Sequence, residues 1–256
     1  MMSHLSVPRT PSFSLDGRRA LVVGASRGIG FALAAALGEA GAHLTICARQ
    51  SAAIASAGEA LRDAGYGVRS LEMDVTDDAQ VKRCFVDEAR FDIVVNSAGM
   101  ARHSPAMETD PDNYDQVMAV NCRGAYFLAC AAARSMREHG GSIIQVSSQM
   151  GLTGGVDRSV YCASKHALEG MSKAMAVEWG QYGIRVNTIC PTFVRTELTR
   201  ETLADPEKVK WIESRIKLGR IARPEDVMGA VVFLASDASS MVTGTHLLID
   251  GGWTAG

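Results

Sequence analysis

Hydrophobic positions along the chain change period repeatedly, from short β-rich apolar runs to longer segments with helical spacing. The apolar runs fall at 20–23, 44–47, 68–73, 91–96, 142–146, 184–190 and 246–249. Between them, 28–39, 52–63, 77–89, 111–137, 161–181 and 224–235 have the spacing of helices. Continuous apolar runs suit strands buried on both faces, and strands alternating with helices predict right-handed βαβ units. The expected fold class is therefore α/β: a doubly wound parallel sheet with helices on both faces, in one domain over 15–256. One segment, 195–218, breaks the rhythm with charged residues and Asp205-Pro206. An insertion of that length predicts a substrate lid, with a surface helical hairpin as the alternative.

Composition narrows the class without deciding the chemistry. Hydrophobic residues make up 47% and charged residues 21% of the 256, enough to bury a full core and stay in solution. A net charge of −2 gives no reason to expect nucleic acid or an anionic membrane as partner. Cys47, Cys84, Cys122, Cys130, Cys162 and Cys190 are scattered without a C-x-x-C or a histidine cluster. That predicts free thiols in a reducing, cytoplasmic setting and no metal site. Residues 1–14 contain Pro8 and Pro11 and no apolar core, so they are expected to form a flexible leader and not a signal peptide.

The first strand runs into Gly24-Ala25-Ser26-Arg27-Gly28-Ile29-Gly30 and then an alanine-rich helix. Glycines at a strand–turn–helix junction let the backbone approach a pyrophosphate, which the free N–H groups of the helix start hold. After the second strand comes Arg49, where a carboxylate would be needed to hold unphosphorylated ribose. Arg49 and Arg27 together suit a 2′-phosphate, so NADP(H) is expected over NAD(H). Asp74, after the third strand, is placed either to meet the adenine or to brace the start of the next helix.

Tyr161 and Lys165 stand at i and i+4 on a predicted helix and so share a face. A phenol titrates near ~10 and needs a neighbouring cation to act as base at neutral pH. Ser147 and Ser148 lie one connection upstream.

In order and spacing these segments resemble the short-chain dehydrogenase/reductase family over almost the whole chain. The glycine loop is similar to T-G-x-x-x-G-x-G, Asn96-Ser97-Ala98-Gly99 to N-N-A-G, and Pro191 to Thr196 to P-G-x-x-x-T. Asn121 follows Val120 where the family has its asparagine, and Asp250-Gly251-Gly252 closes the last strand. The family places its serine thirteen positions before the tyrosine, which is Ser148, and strand alternation turns Ser147 the other way. The resemblance implies a Rossmann fold and a catalytic set of Asn121, Ser148, Tyr161 and Lys165. In that set Tyr161 exchanges the proton, Ser148 donates to the substrate oxygen, Lys165 favours phenolate and holds the ribose, and Asn121 holds a water. It also implies a homotetramer built on 111–137 and 161–181. Around the loop residues, it implies cofactor contacts from Gly24, Ser26, Arg27, Gly28, Ile29, Gly30 and Arg49. Asp74, Val75, Asn96, Ala98 and Gly99 would add to these, with Tyr161, Lys165, Pro191, Val194 and Thr196. Val23, Ser97 and Thr192 depart from the family pattern, and none belongs to the proton-transfer set.

Residues flanking that set are expected to line the substrate pocket: His103, Gln149, Met150, Thr192 and Phe193. Gln149 suits a substrate hydroxyl, which leans towards a sugar, polyol or other hydroxylated ketone; a solvent-facing amide is its other reading. The expected activity is interconversion of a secondary alcohol and a ketone. Two alternatives stand beside it. Lys208, Lys210, Arg215, Lys217 and Arg220 would suit the acidic carrier of a 3-oxoacyl-[acyl-carrier-protein] reductase, and a non-catalytic NADP(H) regulator would need no proton-transfer set. Trp211 is placed either to cap the substrate or to anchor the lid.

Overall fold

The computed structural model describes residues 7–87 and 90–256. Its strands are β1 Arg19–Val23, β2 His43–Ala48, β3 Val68–Glu72, β4 Ile93–Asn96, β5 Gly141–Val146, β6 Ile184–Pro191 and β7 His246–Ile249. They form one parallel sheet in the order β3-β2-β1-β4-β5-β6-β7. The order reverses between β1 and β4, which opens a crevice at their carboxyl ends.

Helices α1 Gly28–Glu39, α2 Ser51–Asp63 and α3 Asp78–Asp87 follow the first three strands. Next come α4 Pro111–Met118, α5 Ala125–Met136, α6 Ser159–Trp179, α7 Arg200–Leu203, α8 Pro206–Arg215 and α9 Met228–Ala235. Alternate residues of β1 decide which layer each helix joins. Ala20 and Val22 pack in one core with Leu33 and Leu37 of α1 and Val231 and Leu234 of α9. Leu21 and Val23 pack in the other with Leu128 and Met136 of α5 and Met175 of α6. Each such fully buried aliphatic side chain contributes about 1.5–3 kcal/mol.

One expectation changes, and the structure details others. The helix at 111–137 is interrupted by a π turn at Ala119–Gly124, because six residues there take the wider i→i+5 pattern. The segment 195–218 folds as α7 and α8, with Asp205 capping α8 through the Glu207 and Lys208 N–H groups. Ile212, Ile216, Ile221 and Trp253 form its small separate core. The predicted helix 77–89 is seen as α3 to Asp87, and its last two residues lie outside those described. The expected leader, 1–14, falls outside them over 1–6. Within the rest, Ser12 O accepts from Ala238 N, and Phe13 lies 6.4 Å from Phe233.

Candidate active site

The glycine loop closes against the strand beyond the switch point. Gly24 has φ +79°, and a Cβ there would meet Ala98 N at 2.7 Å, so only glycine fits between β1 and the loop after β4. Gly28 has φ +58°, and a Cβ there would touch the Thr196 side chain at 3.4 Å. The loops after β1, β4 and β6 therefore meet at the carboxyl edge of the sheet. Arg27 precedes α1 in extended conformation and makes no side-chain cap, and the first turn of α1 has no acidic residue. The helix start offers free N–H groups and a positive dipole end, which is the donor set a pyrophosphate takes. Ile29 packs on the core behind it, and Ser26 is half-buried in the loop. Arg27 and Arg49 are exposed, and neither forms an ion pair among the described residues. The residues present fit a nicotinamide dinucleotide.

Further along the crevice, Asp74 accepts from the N–H and hydroxyl of Thr76, while Asp77 takes the cap of α3. Val75 is buried and its carbonyl would sit 2.9 Å from a Cβ at Gly124. Asn96 is fixed by a buried pair with Gln145 across β4 and β5 at 2.8 Å, and its Oδ1 accepts from Ala98 N. Val194 is buried beyond Pro191, with its carbonyl accepting from Thr199 Oγ1 at 2.6 Å.

The four expected catalytic residues converge. Lys165 is buried, and its Nζ donates to Val146 O at 2.9 Å and lies 5.7 Å from the centre of the Tyr161 ring. A Cβ at Gly99 would lie 3.5 Å from Asn121 Oδ1 and 3.7 Å from Lys165 Nζ, so glycine lets those two groups approach one point. Ser148 is buried, accepts from Met150 N at 3.1 Å, and its hydroxyl interacts with the Tyr161 phenol.

Asn121 accepts from Met100 N and donates to Met100 O and Ser164 Oγ, so both amide N–H groups are engaged. Asn121 thereby ties the β4 loop to α6. The π turn that carries Asn121 is a feature found often at functional sites. Burial pushes the Tyr161 phenol above its ordinary value; Ser148 and the Arg158 cation oppose this. Arg158 is thus a second cation near the phenol, and sequence reasoning did not single it out. It lies three residues before Tyr161, at a helical i,i+3 spacing that was there to be used.

Burial lowers Lys165 from 10.5 to about 8, and the carboxylate of Glu169 acts in the opposite sense. Glu169 stands one turn after Lys165, buried, accepting from Thr188 Oγ1 at 3.0 Å and Cys190 Sγ at 3.2 Å. Cys190 is pushed up to about 12 by burial and then by Glu169, so it remains a thiol donor. Ser147 is buried, and its hydroxyl interacts with the Cys190 thiol.

Of the expected pocket residues, Gln149 is buried with both amide atoms unpartnered, and Thr192 Oγ1 is likewise orphaned. A buried polar group costs about 1–3 kcal/mol when left unpaired, so these three atoms are candidates for ligand hydrogen bonds. The alternative of a solvent-facing amide at Gln149 is set aside by its burial. Met150 is buried behind it. His103 sits edge-on to Tyr161, and Phe193 lies 5.8 Å from Trp253. Trp211 packs on Trp253 at 5.5 Å yet stays more than half exposed, as a lid anchor would.

The chain is similar over nearly its whole length to known proteins. The family model described as Enoyl-(Acyl carrier protein) reductase matches residues 24–254. D-threitol dehydrogenase of Mycolicibacterium smegmatis is 40% identical over 248 residues, covering 94% of this chain and 95% of that protein. A gluconate 5-dehydrogenase from Burkholderia cenocepacia, solved in complex with NADP and tartrate, is 36% identical with a TM-score of 0.93. The alignment spans 95% of this chain and 98% of that one. A short-chain type dehydrogenase/reductase from Mycobacterium marinum is 36% identical with a TM-score of 0.89, over 95% and 98% of the two chains.

Proposed function

Because the chain belongs to the short-chain dehydrogenase/reductase family, we propose that it is an NADP(H)-dependent oxidoreductase interconverting a secondary alcohol and a ketone of a sugar or polyol. The observation that carries this is the convergence of Ser148, Tyr161, Lys165 and Asn121 beside the uncapped start of α1. Relatives named for threitol, erythrulose and xylulose support the substrate class. The orphaned Gln149 amide supports it too, since a hydroxylated substrate would supply its missing partners. The carrier-protein alternative rests on the description of the family model and on exposed lid charges, of which Lys208 is paired with Asp205 and Arg220 with Asp226.

When bound, the nicotinamide supplies or accepts the hydride. The protein's own residues handle the oxygen. Tyr161 gives its phenolic proton to the carbonyl oxygen during reduction and recovers one from the alcohol during oxidation. Ser148 donates a hydrogen bond to the same oxygen, which steadies it as charge develops there. The raised phenol keeps Tyr161 protonated at rest, the form that reduction needs. Lys165 would hold the nicotinamide ribose, and its charge would then assist the phenolate that forms.

Preference for NADP(H) rests on Arg27, Arg49 and the missing carboxylate after β2. Fluorescence titration should show NADPH bound about ten- to a hundredfold more tightly than NADH. Arg49→Ala should remove most of that ratio, and tighter NADH binding in the unaltered protein would contradict the assignment. We also assign a homotetramer. A groove of about 450 Å³ on α4 and α5 is lined by Met118, Cys122, Tyr126 and Phe127, whose aromatic rings are exposed. Light scattering is expected to return the mass of four chains; a monomer would rule this out. Among the described residues no helix is long and apolar enough to cross a membrane, and the six cysteines are free thiols, which suits the cytoplasm.

A further inference from the structure

Arg158 lies near the Tyr161 phenol but is not itself a proton donor or acceptor in the transfer. It stands at the end of the loop between Ser148 and Tyr161, half-buried beside the reacting phenol. A Cβ at Gly155 would meet its Cδ and the Met150 Sδ at 3.0 Å, so the missing side chain makes room for the arginine stem. Its guanidinium lies over the Phe193 ring at 5.2 Å and donates from Nη1 to His103 Nε2 at 2.8 Å. The two loops are tied together by Ser104 N donating to Asp157 O at 3.1 Å. The guanidinium is therefore held in place from three sides.

What holds it is neutral. His103 Nε2 must be unprotonated to accept, and partial burial, followed by the Arg158 charge, lowers that imidazole to about 4. Asp157 favours the cation from a distance but forms no ion pair with it among the described residues. The remaining N–H groups of Arg158 have no protein partner among the described residues. A half-buried guanidinium with no carboxylate bound to it is an incomplete pair, because burying charge is costly until it is matched. A single planar fork matches one carboxylate in a bidentate manner. His103 contacts Arg158 and also faces Tyr161, with ring centres 6.2 Å apart. The cation thus lies within reach of a short polyhydroxy chain whose carbinol sits at Tyr161.

We propose that Arg158, braced by His103 and Phe193, binds the carboxylate of the substrate, which makes the physiological substrate a polyhydroxy acid or its keto form and not a neutral polyol. This deepens the oxidoreductase reading and rests on it. The relatives leave the choice open, being named both for neutral threitol and for gluconate.

The test compares pairs that differ only in a carboxylate against a hydroxymethyl: D-gluconate with glucitol, and threonate with threitol. With NADP+, kcat/KM should favour the acid by about tenfold or more in at least one pair, as expected for a charge-assisted pair. Arg158→Met should raise KM for that acid about ten- to a hundredfold with little change in kcat, and leave the neutral partner within about threefold. Arg158→Lys should restore part of the loss. Preference for the neutral alcohol in both pairs, or an equal loss for acid and alcohol in Arg158→Met, would overturn the assignment. Calorimetry with D-gluconate and threonate, NADP+ present, reads binding separately from turnover. Acid binding that disappears in Arg158→Met supports the carboxylate site even if no alcohol is oxidised, an outcome that would defeat only the catalytic reading. Binding unchanged in that variant, or none in the unaltered protein, would defeat the site itself.

Discussion

Tyr161→Phe is expected to reduce turnover about 10²- to 10⁴-fold while NADPH binds as before. The ring remains to fill its place beside His103 and beneath Lys165 Nζ, so packing changes little. What disappears is the hydroxyl that interacts with Ser148 and would transfer the proton. The loss should lie in kcat and kcat/KM together, because the group acts mainly in the transition state. Steady-state kinetics beside a fluorescence titration of NADPH separate the two readouts. A non-catalytic nucleotide-binding regulator would show no such split.

Lys165→Met should lose turnover by about a hundredfold or more, yet leave a fold as stable as the original near neutral pH. The ammonium is buried, and its titration is lowered from 10.5 to about 8. Below about pH 8 that displacement corresponds to about 3 kcal/mol of instability. Methionine removes this cost but leaves Val146 O without its donor, a loss of about 1–3 kcal/mol. The two nearly cancel. The pH dependence follows from the same displacement. Below about 8 both native and unfolded lysine hold the proton and contribute no slope. Between about 8 and 10.5 the unfolded chain holds it and the native one has lost it, so this group makes stability rise with pH. Thermal melts at about pH 7 and about pH 9.5 should show the original protein gaining on Lys165→Met at the higher pH. A gap that stays constant would mean Lys165 is not displaced by burial.

Much of the fold was legible because the sheet is buried on both faces. Runs such as 20–23 and 142–146 have no polar alternation to confuse with a helix, and both became strands with ends shifted by one residue. The ends of β4 and β3 shifted by one or two residues, where strand pairing and not hydropathy decides the boundary. The π turn at Ala119–Gly124 had no signal, since Ala-Val-Asn-Cys-Arg-Gly continues the helical pattern and only its tertiary setting widens it. The site divided along similar lines. Residues joined by local spacing, such as Tyr161 and Lys165, could be paired from sequence. Glu169 continues that i+4 series and was passed over, although it is the buried carboxylate behind the lysine. Pairs made by distant segments were out of reach: Asn96 with Gln145, and Arg158 with His103, depend on strand register and loop packing.

The claim on which the rest depends is that hydride reaches a sugar-type carbonyl while Tyr161 delivers the proton. NADPH carrying deuterium on the transferred position of C4, mixed with erythrulose, xylulose and a keto-aldonate, tests it by mass spectrometry of the products. The predicted result is an alcohol with the deuteron on its carbinol carbon, formed by the original protein and about 10²- to 10⁴-fold more slowly by Tyr161→Phe. Products without deuterium, or equal rates for the two proteins, would contradict the account.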